Sequence, residues 1–255
     1  MDMFFSLLSP QLWLIAMSIA VLGGFVKGVV GFAMPLVVIS GLSSFMDPEL
    51  ALAGLILPTV VANITQAFGQ GIGSAWATVQ RFRVYLIVGG LVLISSAQLV
   101  RVLPISVMLG LIGVPVVLFA VLQLIGWRMA LSRQRKDVEA GIGAFAGFLG
   151  GISGIWGPPT VLFLTALNTE KSEQMRAQGV IYGLGAVALV GAHIGSGVLR
   201  AETLPLSLAL IAPALAGQWL GGKVLDRIDQ AMFRQATLLV LLVVGMNLIR
   251  RSFVA

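Results

Sequence analysis

The amino-acid sequence predicts an all-α polytopic membrane protein. About eight hydrophobic elements form two pseudo-symmetric repeats, read as inverted, each opening with a broken or re-entrant helix. Three observations predict this fold. Of 255 residues, 58% are hydrophobic and only 10% charged, with a mean hydropathy of +1.02. The apolar runs recur along the chain at lengths that suit a hydrocarbon core about 30 Å thick. A glycine-rich motif occurs twice, once in each half of the chain.

Uncharged apolar runs place the elements at residues 12–45, 50–68, 84–103, 105–127, 140–167, 179–199, 204–225 and 232–249. The first contains GGFVKGVVGFAMP, residues 23–35. As one helix its 34 residues would extend about 51 Å, well beyond the hydrocarbon core. Glycines at 23, 24, 28 and 31 before Pro35 offer both a turn and a kink. The expected form is two half-helices that double back, with a long kinked helix as the alternative. The polar stretch RMALSRQRKDVE, residues 128–139, divides a first repeat at residues 1–127 from a second at 140–255.

Setting residues 23–35 over 146–158 aligns Gly24, Phe25, Gly28, Gly31 and Pro35 with Gly147, Phe148, Gly151, Gly154 and Pro158, at a constant offset of 123. An acidic or polar connection and another apolar run follow in both halves, so duplication is the expected origin. Cationic side chains indicate the orientation. If every element crosses once, Lys and Arg divide nine inside against six outside. If the first and fifth elements double back, the division becomes eleven against four, the better fit to the positive-inside rule. Three crossings per half then invert the second repeat.

The N-terminus lacks a basic region ahead of its apolar run, and no signal peptide is read there. The formal charge of +6 reports orientation in a chain of this kind, and no nucleic-acid partner is expected. With no cysteine, disulfides and thiolate metal sites are excluded. HExxH, GxSxG and phosphate-loop motifs are missing, and the ten acidic residues fall at segment ends or in loops. The reading is of a non-enzyme without a cofactor or metal.

A helix broken inside a membrane exposes backbone N–H groups, which together with the helix dipole favour an anion. The site expected in the first repeat is built from Gly28 and Gly31, and in the second from Gly151, Ser153, Gly154 and Gly157, with Trp156 as a wall. Lys27 stands deep in an apolar run, where an ammonium is costly unless it meets water, a counter-charge or an anionic ligand. Its counterpart at offset 123 is Gly150. Asn63 and Gln178 are intramembrane polar groups that either join helices or touch substrate. Gln66, Gln98, Tyr182 and Gln218 belong to the same class. Arg176 is a gate or anion guide, or an anchor at the head groups. His193, the one histidine, is a proton-coupling candidate or an interhelical hydrogen-bonding group.

The two segments GGFVKGVVGFAMP and GGISGIWGPP, each opening a four-element half, resemble the TauE/SafE sulfite-exporter family over nearly the whole chain. The resemblance implies a multi-pass transporter of the bacterial inner membrane. It implies a small anionic substrate such as sulfite or an organosulfonate like sulfoacetate, with the lipid bilayer as partner and a homodimer compatible. Lys27 departs from the small residues expected at its position, which favours a specialised anion. An anion channel and a non-transporting scaffold or assembly factor are the alternatives.

Overall fold

The computed structural model describes residues 8–96, 104–127, 131, 134–153, 156–195 and 197–254. Among them the chain is helical throughout, in eleven helices: α1 (Pro10–Val30), α2 (Met34–Leu42), α3 (Pro48–Phe68), α4 (Ile72–Arg81), α5 (Arg83–Ser96), α6 (Ile105–Leu124), α7 (Lys136–Ser153), α8 (Gly157–Ala166), α9 (Lys171–Gly195), α10 (Leu204–Arg227) and α11 (Gln230–Val254). Five of these, α1, α3, α9, α10 and α11, are long and apolar enough to cross a membrane. The pair α4 and α5, bent by 73°, makes a sixth if it forms one span. The eight apolar elements of the sequence therefore do not become eight such spans among the described residues.

Local chemistry sets several helix starts. Ser9 accepts from the Leu12 N–H at 3.4 Å, with Pro10 at the first helical position of α1. Asp47 accepts from the Glu49 N–H at 2.8 Å, and Pro48 opens α3. These side chains occupy donors that no helical carbonyl reaches.

The first element breaks at residues 31–33, a little beyond its middle. α1 runs for 21 residues, about 31 Å, and α2 for only nine. Gly31 takes φ 88° and Ala33 φ 70°, both left-handed, and Pro35 lies in the first turn of α2. Two separate helices form, but of the glycines expected at the turn Gly23, Gly24 and Gly28 stay inside α1 and only Gly31 lies at the break. The helix start after the corresponding segment of the second half has the same register. α8 begins at Gly157, 123 residues beyond the start of α2 at Met34, and α7 is described as far as Ser153, with residues 154 and 155 outside the described residues.

Two compact units form, one of residues up to Gly71 with Gln178–Asp229, the other of Ile72–Ala177 with Gln230–Ala255. They do not coincide with the two sequence halves. In the first unit α1 packs on α10 through interlocked glycines. A Cβ at Gly24 would stand 2.0 Å from the Ala214 carbonyl oxygen, one at Gly28 2.2 Å from that of Gln218, and one at Gly217 2.0 Å from that of Val21. Gly24 and Gly28 are four apart, as are Gly217 and Gly221, so each helix presents a small-residue groove to the other. Around this seam Trp13, Met34, Leu42, Leu206 and Leu210 form an apolar core.

The second unit repeats the device. A Cβ at Gly147 on α7 would meet the Gly89 carbonyl oxygen of α5 at 2.1 Å, and one at Gly143 would meet that of Tyr85 at 2.9 Å. α6 and α11 approach at Gly113 and Gly245, where a Cβ at Gly113 would lie 2.9 Å from the Gly245 carbonyl oxygen. In each unit the helix before the break thus packs on a helix from the other half of the sequence.

Outward faces remain apolar at helical spacing, with Ile87, Leu91 and Ile94 on α5 and Leu239, Val243 and Met246 on α11 all exposed. Such ridges suit lipid, which solvates them without cost. α4 is absent from the apolar runs read in the sequence. It exposes Ile72 and Trp76 and ends in Arg81, the pattern of a helix lying at a membrane interface.

The glycine seams have a measurable consequence. Gly28→Leu and Gly147→Leu should each cost at least about 1–3 kcal/mol through forced backbone displacement, read as a lower unfolding temperature in detergent. Gly90→Ala and Gly222→Ala, where a Cβ meets nothing within 4 Å, should leave that temperature unchanged or raise it.

Candidate functional site

Ending α1 inside an apolar segment leaves carbonyls that water does not reach. The Gly31 N–H closes the last turn on the Lys27 carbonyl at 2.7 Å. Three side chains then converge on the Gly31 carbonyl oxygen: Lys27 Nζ donates at 3.3 Å, Gln66 Nε2 at 3.1 Å and the Gln178 amide at 2.9 Å, the last also reaching the Val30 carbonyl at 3.1 Å. Lys27 Nζ makes its shorter bond to Asn63 Oδ1, at 2.6 Å. Asn63 and Gln66 project together because they are three apart on α3.

This cluster is closed off from solvent. Lys27 and Asn63 are each 2% exposed and Gln178 is fully buried. The ammonium sits at the negative end of its own helix dipole, a favourable placement. Neutral oxygens alone hold it: among the described residues no carboxylate pairs with Lys27, and its third N–H has no protein partner. The arrangement is a buried lysine whose hydrogen bonds are largely met and which has no counter-charge among the described residues.

Four of the residues expected to form a site therefore gather around Lys27: Gly28, Gly31, Asn63 and Gln178. Gly28 serves the approach to Gln218 and Gly221 on α10, so close packing accounts for its missing side chain. The second break is built differently. Gly150, the counterpart of Lys27, lies under Trp156, whose Cβ and ring would stand 3.2 Å from an added Cβ. An aromatic ring thus occupies the space where the first break carries a charge. Trp156 precedes Gly157 at the start of α8, Gly151 is half-buried in α7, and Ser153 ends that helix. Gly154 lies outside the described residues, as does Gln98.

Arg176 is engaged in its own unit, donating from Nε to Thr78 Oγ1 at 2.6 Å and standing 3.8 Å from Glu173. His193 is half-buried towards the end of α9. At 1.5 Å per residue, the fifteen positions from Gln178 to His193 span about 22 Å, so His193 does not touch the Lys27 cluster.

Buried polar residues outside the expected set also appear. Glu139, assigned to the linker by sequence, is 2% exposed in the first turn of α7. Its carboxylate accepts from the Tyr85 N–H at 3.0 Å and from Gln134 Nε2 at 2.7 Å, which caps the start of α5. Tyr85 shares a 2.6 Å hydroxyl bond with Thr160 and stacks on Phe163. Arg81 pairs with Glu173. No single-sequence signal joins Glu139 to Tyr85, since the partners lie on different segments.

Long apolar helices with outward-facing apolar ridges define a multi-pass membrane protein, with a buried lysine at the end of its first helix. Residues 16–248 match the family model described as Sulfite exporter TauE/SafE, and the chain belongs to that family of membrane transporters. No curated protein and no solved structure gives a significant match.

The cluster predicts an ordering of variants. Asn63→Leu strips the charged Lys27 of its closest acceptor and should cost about 2 kcal/mol or more, whereas Lys27→Met removes the demand and should cost less. The double variant should regain stability over Asn63→Leu alone, measured as unfolding temperatures in one detergent.

Proposed function

We propose that the protein is a secondary transporter that moves a small sulfur-containing anion, sulfite or an organosulfonate such as sulfoacetate, across the bacterial inner membrane by alternating access. The observation that carries this reading is Lys27, buried in an apolar segment and held by neutral oxygens only. A cation so placed is expensive, and an arriving anion supplies the missing charge. Asn63, Gln66 and Gln178 are within reach to reorganise around that ligand. The equal register of the starts of α2 and α8 supports a duplicated architecture, and inverted repeats are a frequent basis of alternating access.

Proton coupling belongs to the same proposal. Lys27 is the nearer candidate, since it can exchange a proton where the anion binds. His193, about 22 Å along α9 from Gln178, would act at a distance from it. The interlocked glycines at 24, 28, 217 and 221 favour a second reading, a non-transporting scaffold, because they are explained by packing alone. Lys27 separates the two: packing has no use for a buried charge.

Purified protein should be stabilised by sulfite or sulfoacetate at constant ionic strength, and Lys27→Met should abolish the effect. Unchanged unfolding temperatures in wild type, with no sulfite flux into proteoliposomes, would sink the transporter reading. Flux that neither saturates nor shows counterflow would mark a channel instead.

The inverted arrangement has a separate test. Reporter tags on both termini should read the outer side, while a cytoplasmic C-terminus would exclude it.

A further inference from the structure

The second unit holds a group of polar side chains that the break at Lys27 does not involve. Thr165 in the last turn of α8, Thr169 just beyond it and Thr237 in α11 line one small cavity. All three are nearly or fully buried, at 5%, 4% and 0% exposure, and none of their hydroxyls has a hydrogen-bond partner in the protein. This is unusual for helical threonines in an apolar setting, which ordinarily bond back to the preceding turn. Thr59, Thr78 and Thr160 do so here, donating to Leu55, Ser74 and Trp156 carbonyls at 2.8, 3.1 and 2.8 Å. A buried hydroxyl left unpaired costs about 1–3 kcal/mol. Three around one cavity are accounted for by a shared occupant.

The remaining lining indicates the charge of that occupant. Asn168, Gln174, Gln230, Phe233 and Arg234 complete the wall, so the lining has one guanidinium and no carboxylate. Arg234 donates to Asn168 Oδ1 at 3.4 Å and to Gln123 Oε1. Gln230 ties the rim together, donating to the Thr169 carbonyl at 2.9 Å and accepting from the Lys171 N–H at 2.8 Å. The cavity measures about 10 Å³, room for one occupant of roughly the size of water.

The geometry points to a binding site for a single small monovalent anion of the halide class, held by the hydroxyls of Thr165, Thr169 and Thr237 beside Arg234. Hydroxyl donors with a nearby guanidinium suit an anion, and a cation would meet the Arg234 charge. The site ties the end of α8 to α11, so its occupancy stabilises that unit.

The test uses the full chain in detergent at fixed sodium concentration, with chloride, bromide or gluconate as the anion. Both halides should raise the unfolding temperature by a few degrees over gluconate. Thr237→Val should lose the halide response, while Thr237→Ser, which keeps the hydroxyl, should retain it and guards against a variant that merely folds poorly. The response should persist in Lys27→Met, which separates it from binding at the break. Bromide-soaked crystals should show an anomalous peak among the three hydroxyls. Identical unfolding temperatures in the three salts, a water with no anomalous signal at that position, or a response that follows sodium against potassium would each overturn the assignment.

Discussion

Backbone carbonyls that lose their helical partners inside an apolar segment must find donors in the protein itself. This requirement organises the first unit. Once α1 stops at Val30, donors are needed at Gly31, and they come from α1 itself through Lys27, from α3 through Gln66 and from α9 through Gln178. Three helices are thereby tied to one oxygen atom. The second unit answers a related demand with neutral groups, since Thr160 bonds back to Trp156 and is held by Tyr85.

Tight glycine seams make these arrangements sturdy. Lipid offers no hydrophobic reward for bringing helices together, so contact must come from close van der Waals fit. Backbone-to-backbone approach at Gly24, Gly28, Gly217 and Gly221 supplies it, leaving the cluster at Gly31 on a rigid pair of helices. Positions 27 and 28 differ in what they meet: Lys27 reaches Asn63 and the Gly31 carbonyl, while Gly28 lies against the backbone of α10.

Much of the fold was legible in the sequence because apolar run length is a one-dimensional signal. Gly31 and Pro35 marked the first break, and the offset of 123 placed the start of α8 in equal register with that of α2. Other features depended on partners remote in the chain. Gly24 and Gly28 read equally well as ligand access or as packing until Ala214, Gln218 and Gly221 were opposite them. Lys27 and Asn63 were each visible as polar residues in apolar runs, but their 2.6 Å bond needed the approach of α3. Glu139 fell in a charged linker by composition, and only its contact with the start of α5 reveals a buried cap. Helix α4 was hidden because its apolar side is too short to register as a run.

Ala33 gives the first break a further property. A non-glycine residue in the left-handed region is raised by about 1–2 kcal/mol, and Ala33 is kept there with φ 70° while 5% exposed. The joint between α1 and α2 therefore carries a local backbone cost, which the close packing around Ala33 offsets.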